Sequence, residues 1–300
     1  MIDRGIILAG GNGTRLSPLT KVTNKQLLPL YDKPIIYYPL SILMLAGIKK
    51  ILIITKPDET IIYKKLLGDG RRFGITLTYK EQNKPEGLPQ AFLIGKNFIK
   101  KNGVALILGD NFFYGQGLAL RLRRSLKRNR GSTIFLYPVK NPSQYGVVEL
   151  DKKNKIKKIS EKPKKTKSNL AVTGLYFFDN DVVKLSKTLR PSKRKELEII
   201  DLLQKYKNKN KLKAEFIGRG GTWLDTGSIN DFYNTSNFVS TIESRQGLKI
   251  ACLEEIAFKK NWNNSLSKQI YLGFVLRWGP QFLFHPDWSV LLANPLRDFY

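Results

Sequence analysis

Gly5-Ile-Ile-Leu-Ala-Gly10-Gly11-Asn-Gly13-Thr14-Arg15-Leu16, answered shortly afterwards by Lys25-Gln26-Leu-Leu-Pro29, is the stretch from which the rest of the chain can be read. An apolar run short enough for one buried strand stops at three glycines within four residues, and a hydroxyl and a guanidinium follow. Glycines at that point remove side chains, so backbone N–H groups can close on phosphate oxygens. Arg15 and Lys25 add cationic donors suited to a triphosphate. The spacing is neither the dinucleotide fingerprint nor a Walker A loop. A strand and glycine turn used only for packing is the plainer alternative, and the two cations weigh against it.

Outward from this loop, apolar bursts alternate with helix-like stretches. Strands are expected at Ile6–Ala9, Ile51–Thr55, Thr76–Tyr79, Ala105–Leu108 and Thr133–Pro138, and helices at Ile35–Ala46, Glu59–Leu67, Pro89–Ile99 and Leu118–Lys127. Such alternation with short connections implies an α/β fold with a doubly wound, mostly parallel sheet, whose ligands collect beyond the carboxyl ends of the strands. From about Tyr145 further strands follow (Val147–Leu150, Ile156–Ser160, Val172–Phe178), then helices at Asp181–Leu189, Glu198–Tyr206 and Ile229–Ser244. We divide the chain into a main domain, 1–245, and a C-terminal region, 246–300, which is atypical after about 262.

The 300 residues carry a net charge of +28, which taken alone points to nucleic acid or an anionic membrane. The lysines nevertheless gather in Asn-, Ser- and Thr-rich stretches without regular aromatic partners, as at Lys152–Lys158, Lys162–Lys167 and Lys205–Lys213. We read them as solvated loops and outer helix faces. A basic nucleic-acid-binding protein stays as the second reading. One cysteine, Cys252, excludes an internal disulfide and suits a reducing compartment, and no signal-like or bilayer-length apolar segment is evident. A cytoplasmic protein with no membrane partner is expected. Beyond Trp262 the lysine richness nearly vanishes, and Trp278, Phe282, Phe284, Trp288 and the only histidine, His285, take its place. That change suggests an alternative reading frame or a replaced segment and removes His285 as a candidate catalyst.

Two aspartates end apolar runs: Leu106-Ile-Leu-Gly-Asp110-Asn111 and Trp223-Leu-Asp225-Thr-Gly227. Carboxylates beside small residues suit Mg²⁺, which takes a few hard oxygens plus phosphate and water, although an isolated Asp after a strand is usually a turn or a cap. Gln82, ahead of Gly87-Leu88-Pro89-Gln90, can offer a pyrimidine edge both a donor and an acceptor. Tyr145 and Gly146 can supply a flat wall and an open backbone for a ring, whereas Glu161-Lys162, in a lysine-rich stretch, reads by itself as a surface pair.

Gly-Gly-x-Gly-Thr-Arg-Leu followed by Lys-Gln-Leu-Leu-Pro resembles the signature of the sugar-1-phosphate nucleotidylyltransferases, and the likeness runs from residue 5 to about Trp262. It implies a Rossmann-like nucleotidyltransferase fold with a nucleotide-binding part at about 1–140, sugar-binding strands within about 141–227 and C-terminal helices. It further implies Mg²⁺-dependent transfer of a thymidylyl group from dTTP to glucose 1-phosphate, giving the sugar nucleotide that opens deoxysugar synthesis. Arg15, Lys25 and Lys162 would be catalytic, and Asp110 and Asp225 would hold the metal. Leu8, Gly10, Gly11, Gly13, Thr14, Arg15, Gln26, Gln82, Gly87 and Asp110 would bind the nucleotide. Tyr145, Gly146, Glu161, Lys162, Val172, Gly174 and Tyr176 would bind the sugar phosphate. The same resemblance implies a homo-oligomer, tetramer or dimer, with an effector site near Leu45, Tyr114, Gly115, Arg219 and Glu255. An altered tail makes an inactive relative a further alternative. Gly221-Thr222 departs from the usual aromatic-plus-small pair and is expected to loosen packing near Asp225.

Overall fold

The computed structural model describes residues 2–262. In chain order its elements are β1 (Ile2–Leu8), the two-residue strands β2 (Pro29–Leu30) and β3 (Lys33–Pro34), α1 (Tyr37–Ala46), β4 (Lys50–Thr55), α2 (Thr60–Leu67) and β5 (Thr76–Glu81). Next come α3 (Gln90–Ile94), α4 (Lys96–Ile99), β6 (Gly103–Leu108), β7 (Asn111–Gly115), α5 (Leu118–Arg128) and β8 (Ser132–Pro138). The later part holds β9 (Gly146–Leu150), β10 (Ile156–Glu161), β11 (Leu170–Phe178), α6 (Val182–Ser186), α7 (Ile199–Asn208), β12 (Leu212–Phe216), β13 (Gly221–Asp225), α8 (Ile229–Gln246) and α9 (Leu253–Lys259).

Nine strands form one sheet along β10-β9-β11-β6-β1-β4-β5, with β8 and β12 branching from β11. β5, β4, β1 and β6 pair in parallel. β11 runs antiparallel to β6, β8 and β9, so β8 and β9 share the direction of β6, and β12 follows β8. Only β11 and β10 therefore oppose the common direction, and the sheet is mostly parallel as expected. After β1 the chain adds β4 and β5 on one side and then β6 on the other. β1 thus stands at a switch point, with the glycine loop at its carboxyl end.

The core explains α1. Tyr38, Leu40, Ile42, Leu43 and Met44 are all buried, so this apolar stretch is a core helix, and Pro39 is tolerated in its first turn. Gly47 ends it at φ 96°, with the Ile48 N–H returning to the Leu43 carbonyl at 3.0 Å. The expected single helix over Pro89–Ile99 is instead two short ones: Gly95 sits at φ −81°, ψ 2°, off the helical path, and a Cβ there would lie 3.0 Å from Ile6 Cδ1 on β1. Likewise Asp181–Leu189 contracts to the five residues of α6. No helix among the described residues is long and apolar enough to cross a membrane. The altered tail, His285 included, lies outside the described residues.

A charged cluster ties α8 to the β2–β3 turn. Glu243 is buried on α8 and accepts from Lys249 Nζ at 2.7 Å, Lys33 Nζ at 3.2 Å and the Ile250 N–H at 2.8 Å. Asp32 joins through Lys33 and through Lys249 at 2.8 Å. Burial alone would raise the Asp32 carboxyl, but hydrogen bonds from Lys249 and Lys33 outweigh it and hold the group below its ordinary value. Its stabilising share is therefore present at neutral pH and lost as pH falls through that lowered value. Glu243→Leu takes one acceptor from each of two ammonium groups, which keep Asp32, and leaves the Ile250 N–H without its carboxylate. We expect a loss of about 2–3 kcal/mol in urea unfolding at neutral pH, and an unchanged midpoint would contradict this.

Candidate active site

The loop after β1 is held from both sides. The Ala9 N–H donates to Ile54 O on β4 at 2.7 Å, and the Gly109 N–H to Leu8 O at 2.9 Å. Its three glycines serve three purposes. A Cβ on Gly10 would come 2.4 Å from Gln82 Oε1, so the first admits Gln82. A Cβ on Gly11 would meet no atom within 4 Å, so the second leaves backbone bare toward the cleft. Gly13 adopts φ 61°, which other residues rarely accept, and it starts the short turn carrying Thr14, Arg15 and Leu16.

Asn24, which the sequence reading passed over, fixes the neighbouring turn. Its Nδ2 donates to Ala9 O at 3.1 Å and to Glu59, while its Oδ1 accepts from Tyr63 OH at 3.0 Å and the Gln26 N–H at 2.9 Å. An Asn one residue before a helical turn is a capping signal that could have flagged it. Lys25 and Gln26 are thereby buried beside the glycine loop. A cavity of about 270 Å³ results, lined by residues 11–16, Lys25, Gln26, Asp110 and Gly227. The buried Gln26 Oε1 has no hydrogen-bond partner among the described residues, as suits an acceptor reserved for a ligand.

The two aspartates meet because β7 and β13 form an antiparallel ribbon that places Asp225 opposite Asn111, next to Asp110. Thr226 reinforces the junction, donating from its N–H (3.2 Å) and Oγ1 (3.0 Å) to Asp110 O. Asn111 is the hub. Its Oδ1 accepts from the Gly174 N–H at 3.0 Å and Trp223 Nε1 at 2.6 Å, and its Nδ2 donates to Asp110 Oδ1 at 2.9 Å. Gly174 lies within the register shift of β11, and a Cβ there would strike Asn111 Oδ1 at 2.4 Å. The departure at Gly221 does not loosen the ribbon: Ile217 Cγ2 fills the space a Cβ would take, at 2.4 Å.

The carboxylates differ electrostatically. Burial raises Asp110, but the Lys25 ammonium, 2.6 Å from Oδ2, and the Asn111 bond outweigh it and hold the group below its ordinary range. Burial raises Asp225 too, and Asp110 and Asp231 raise it further, while the Tyr145 hydroxyl at 3.0 Å and Lys25 oppose without cancelling the rise. A Cβ on Gly227 would lie 3.0 Å from Asp225 Oδ2 and 3.2 Å from an Arg15 guanidinium nitrogen, so Arg15 and Asp225 converge there. Among the described residues no group of three or more His, Cys, Asp or Glu could hold a metal ion. Two carboxylates, one of them under-neutralised, do fit a cation that completes its shell with phosphate and water oxygens.

The β9–β10 hairpin pairs Gly146 with Glu161. The Lys162 N–H donates to Tyr145 O at 3.0 Å, and Tyr145 packs edge-on to Trp223, which connects this hairpin to the carboxylates. Burial and the Glu198 charge raise Glu161 despite Lys162 and Arg194. Arg194, unnoticed in the sequence, reaches Glu161 at 3.4 Å and grips Glu198 at 2.8 Å; only its spacing of four residues from Glu198 hinted at a pair. Val172 and Tyr176 are buried on β11. Gln82 is buried against Gly10, and a Cβ on Gly87 (φ 99°) would overlap Leu197 O at 2.1 Å.

The effector candidates lie on elements around α1. Leu45 is on α1 and Glu255 on α9, which packs against it. Tyr114 and Gly115 end β7, which also touches α1, and the exposed Arg219 precedes β13.

The sequence profile described as nucleotidyl transferase matches residues 4–242. The chain belongs to the nucleotidyl transferase family. It is 52% identical over 259 residues to a glucose-1-phosphate thymidylyltransferase of Neisseria meningitidis serogroup A, covering 86% of this chain and 90% of that protein. It is 54% identical over 256 residues to one of Mycolicibacterium smegmatis, covering 85% and 88%. A Bacillus anthracis crystal structure described under the same activity, in complex with a sucrose, superposes with a TM-score of 0.73 at 36% identity, covering 78% of this chain and 94% of that one. As a nucleotidyl transferase the chain is an enzyme. The described residues include no histidine, and burial pushes the Cys252 thiol up to about 12, so neither type supplies a nucleophile there.

Proposed function

We propose that this nucleotidyl transferase moves a thymidylyl group from dTTP to glucose 1-phosphate, releasing pyrophosphate and forming dTDP-glucose. The observation that carries this reading is the convergence of Arg15, Lys25, Asp110 and Asp225 beside the bare backbone of Gly11, in a chain half identical to proteins named for that activity. A sugar phosphate is already an anionic nucleophile at neutral pH. The reaction therefore needs positioning and charge neutralisation rather than a general base.

In this reading an oxygen of the sugar phosphate attacks the α-phosphorus in line, and the bond to pyrophosphate breaks. Leu8, the glycine loop, Thr14 and Gln26 cradle the triphosphate. Arg15 and Lys25 face the charge that develops at the α-phosphorus and on the leaving pyrophosphate. Gln82 and Gly87 address the base. Lys162 takes the incoming phosphate, and Tyr145, Gly146, Glu161, Val172, Gly174 and Tyr176 surround the hexose. Asp110 and Asp225 would hold Mg²⁺, which when bound supplies further charge neutralisation between the two phosphates. Cytoplasmic placement, a homo-oligomer and an effector site at Leu45, Tyr114, Gly115, Arg219 and Glu255 belong to the same reading.

The test is direct. Incubation with dTTP, glucose 1-phosphate and Mg²⁺ is expected to yield pyrophosphate and dTDP-glucose, with UTP a slower donor because one methyl group discriminates by only about 1–3 kcal/mol. Absence of pyrophosphate with every pairing of pyrimidine triphosphate and hexose 1-phosphate would overturn the reading.

A further inference from the structure

Three side chains outside the phosphate cradle form a directional chain of hydrogen bonds. Gln90, at the first turn of α3, is fixed in orientation at both ends of its amide. Its Nε2 donates to Glu86 Oε2 at 2.9 Å, a carboxylate that can only accept. Its Oε1 accepts the backbone N–H of Glu86 at 3.0 Å, a group that can only donate. The same Oε1 also accepts from Gln82 Nε2. Gln82 must therefore turn its amide nitrogen toward Gln90, and its carbonyl oxygen is left against Gly10, next in sequence to Gly11 of the cleft wall. The segment bearing Glu86 is itself anchored, because the Leu197 N–H donates to Glu86 O at 2.8 Å and Gly87 admits the Leu197 backbone.

We infer that Gln90, locked by Glu86, is a positioning residue that sets base specificity by forcing Gln82 to present an acceptor. This rests on the reading that Gln82 faces the pyrimidine. An amide free to rotate would serve thymine and cytosine equally, since it carries a donor and an acceptor. An amide locked with its oxygen outward accepts from N3–H of thymine or uracil. Against cytosine it meets N3, itself an acceptor, and a buried pair of acceptors is left unsatisfied. The lock thus selects pyrimidines protonated at N3 and is indifferent to the thymine methyl.

The test compares kcat/KM for dTTP, UTP and dCTP, together with equilibrium binding of each, in the wild type and three variants. The wild type is expected to accept dTTP and UTP and to reject dCTP. Gln90→Glu combined with Glu86→Gln keeps an acceptor facing Gln82 and a hydrogen bond between positions 86 and 90, and should retain the dTTP-to-dCTP preference. Gln90→Lys offers only donors, so Gln82 turns its oxygen inward and presents its amide nitrogen, and the preference should fall about a hundredfold. Gln90→Leu removes the lock, and the preference should fall about tenfold. Damage to α3 alone would lower turnover of all three nucleotides without moving their ratio. A wild type that accepts dTTP, with a ratio unmoved in both Gln90→Lys and Gln90→Leu, would overturn the lock alone. A wild type that binds and turns over none of the three would overturn the thymidylyl reading as well.

Discussion

Asp225→Asn is expected to lower kcat with dTTP and glucose 1-phosphate at least a hundredfold, on the order of the loss when one stabiliser of transition-state charge is removed. The same variant should be no less stable than the wild type at neutral pH. Burial, then Asp110 and Asp231, raise the folded-state value of Asp225, so the native chain holds this proton more tightly than the unfolded one. By linkage such a group costs stability as pH climbs from its unfolded value through the raised folded one. Asn has the same shape, carries no charge and can still accept from the Tyr145 hydroxyl through its carbonyl oxygen. Its Tm should therefore exceed that of the wild type at neutral pH, with the gap closing in acid. Full turnover, or a variant that melts well below the wild type at neutral pH, would contradict the account. The opposed effects mark Asp225 as kept for chemistry rather than for folding.

What could be read from the chain alone was whatever is local. β1 and its loop were legible because an apolar run breaks at glycines, Arg15 and Lys25 stand out by charge in and after that loop, and Asp110 and Asp225 stand out at the ends of apolar runs. Why they meet was not legible. β7 and β13 are five-residue strands far apart in sequence, and nothing in either names the other as partner. Asn111 was quoted beside Asp110 without a role, since two of its three hydrogen bonds depend on β11 and β13 arriving next to it. Gly174 and Gly87 entered only through the resemblance, as sugar-phosphate and nucleotide residues. Packing gives each a reason to lack a side chain, the Asn111 amide in one case and the Leu197 carbonyl in the other. Residues whose function is to hold other residues carry little signature in sequence.

Lys25→Met tests the other half of the site through stability as well as rate. Methionine is an unbranched apolar chain of similar length, so the change removes mainly the ammonium 2.6 Å from Asp110 Oδ2. Turnover should fall at least a hundredfold, because the charge facing the triphosphate is gone. At neutral pH the variant should also lose about 2–4 kcal/mol, the cost of leaving a carboxylate unpaired in a largely buried place, set toward the low end because the Asp110 side chain is 25% exposed. In the wild type Asp110 is held below its ordinary value, so its contribution is present above the unfolded carboxylate value and lost as pH falls through the lowered one. Without Lys25 burial is less opposed and the folded value moves up. Ionisation then costs stability, and the gap between wild type and variant opens as pH rises from about 4 to about 7. Adding Asp110→Asn to Lys25→Met removes the stranded charge, so the double variant should regain most of the lost stability and none of the activity. Urea unfolding of the wild type, both single variants and the double closes the cycle. A double variant no more stable than Lys25→Met at neutral pH would mean that the two side chains are not energetically paired. The charge arrangement drawn for the reaction would then lack its foundation.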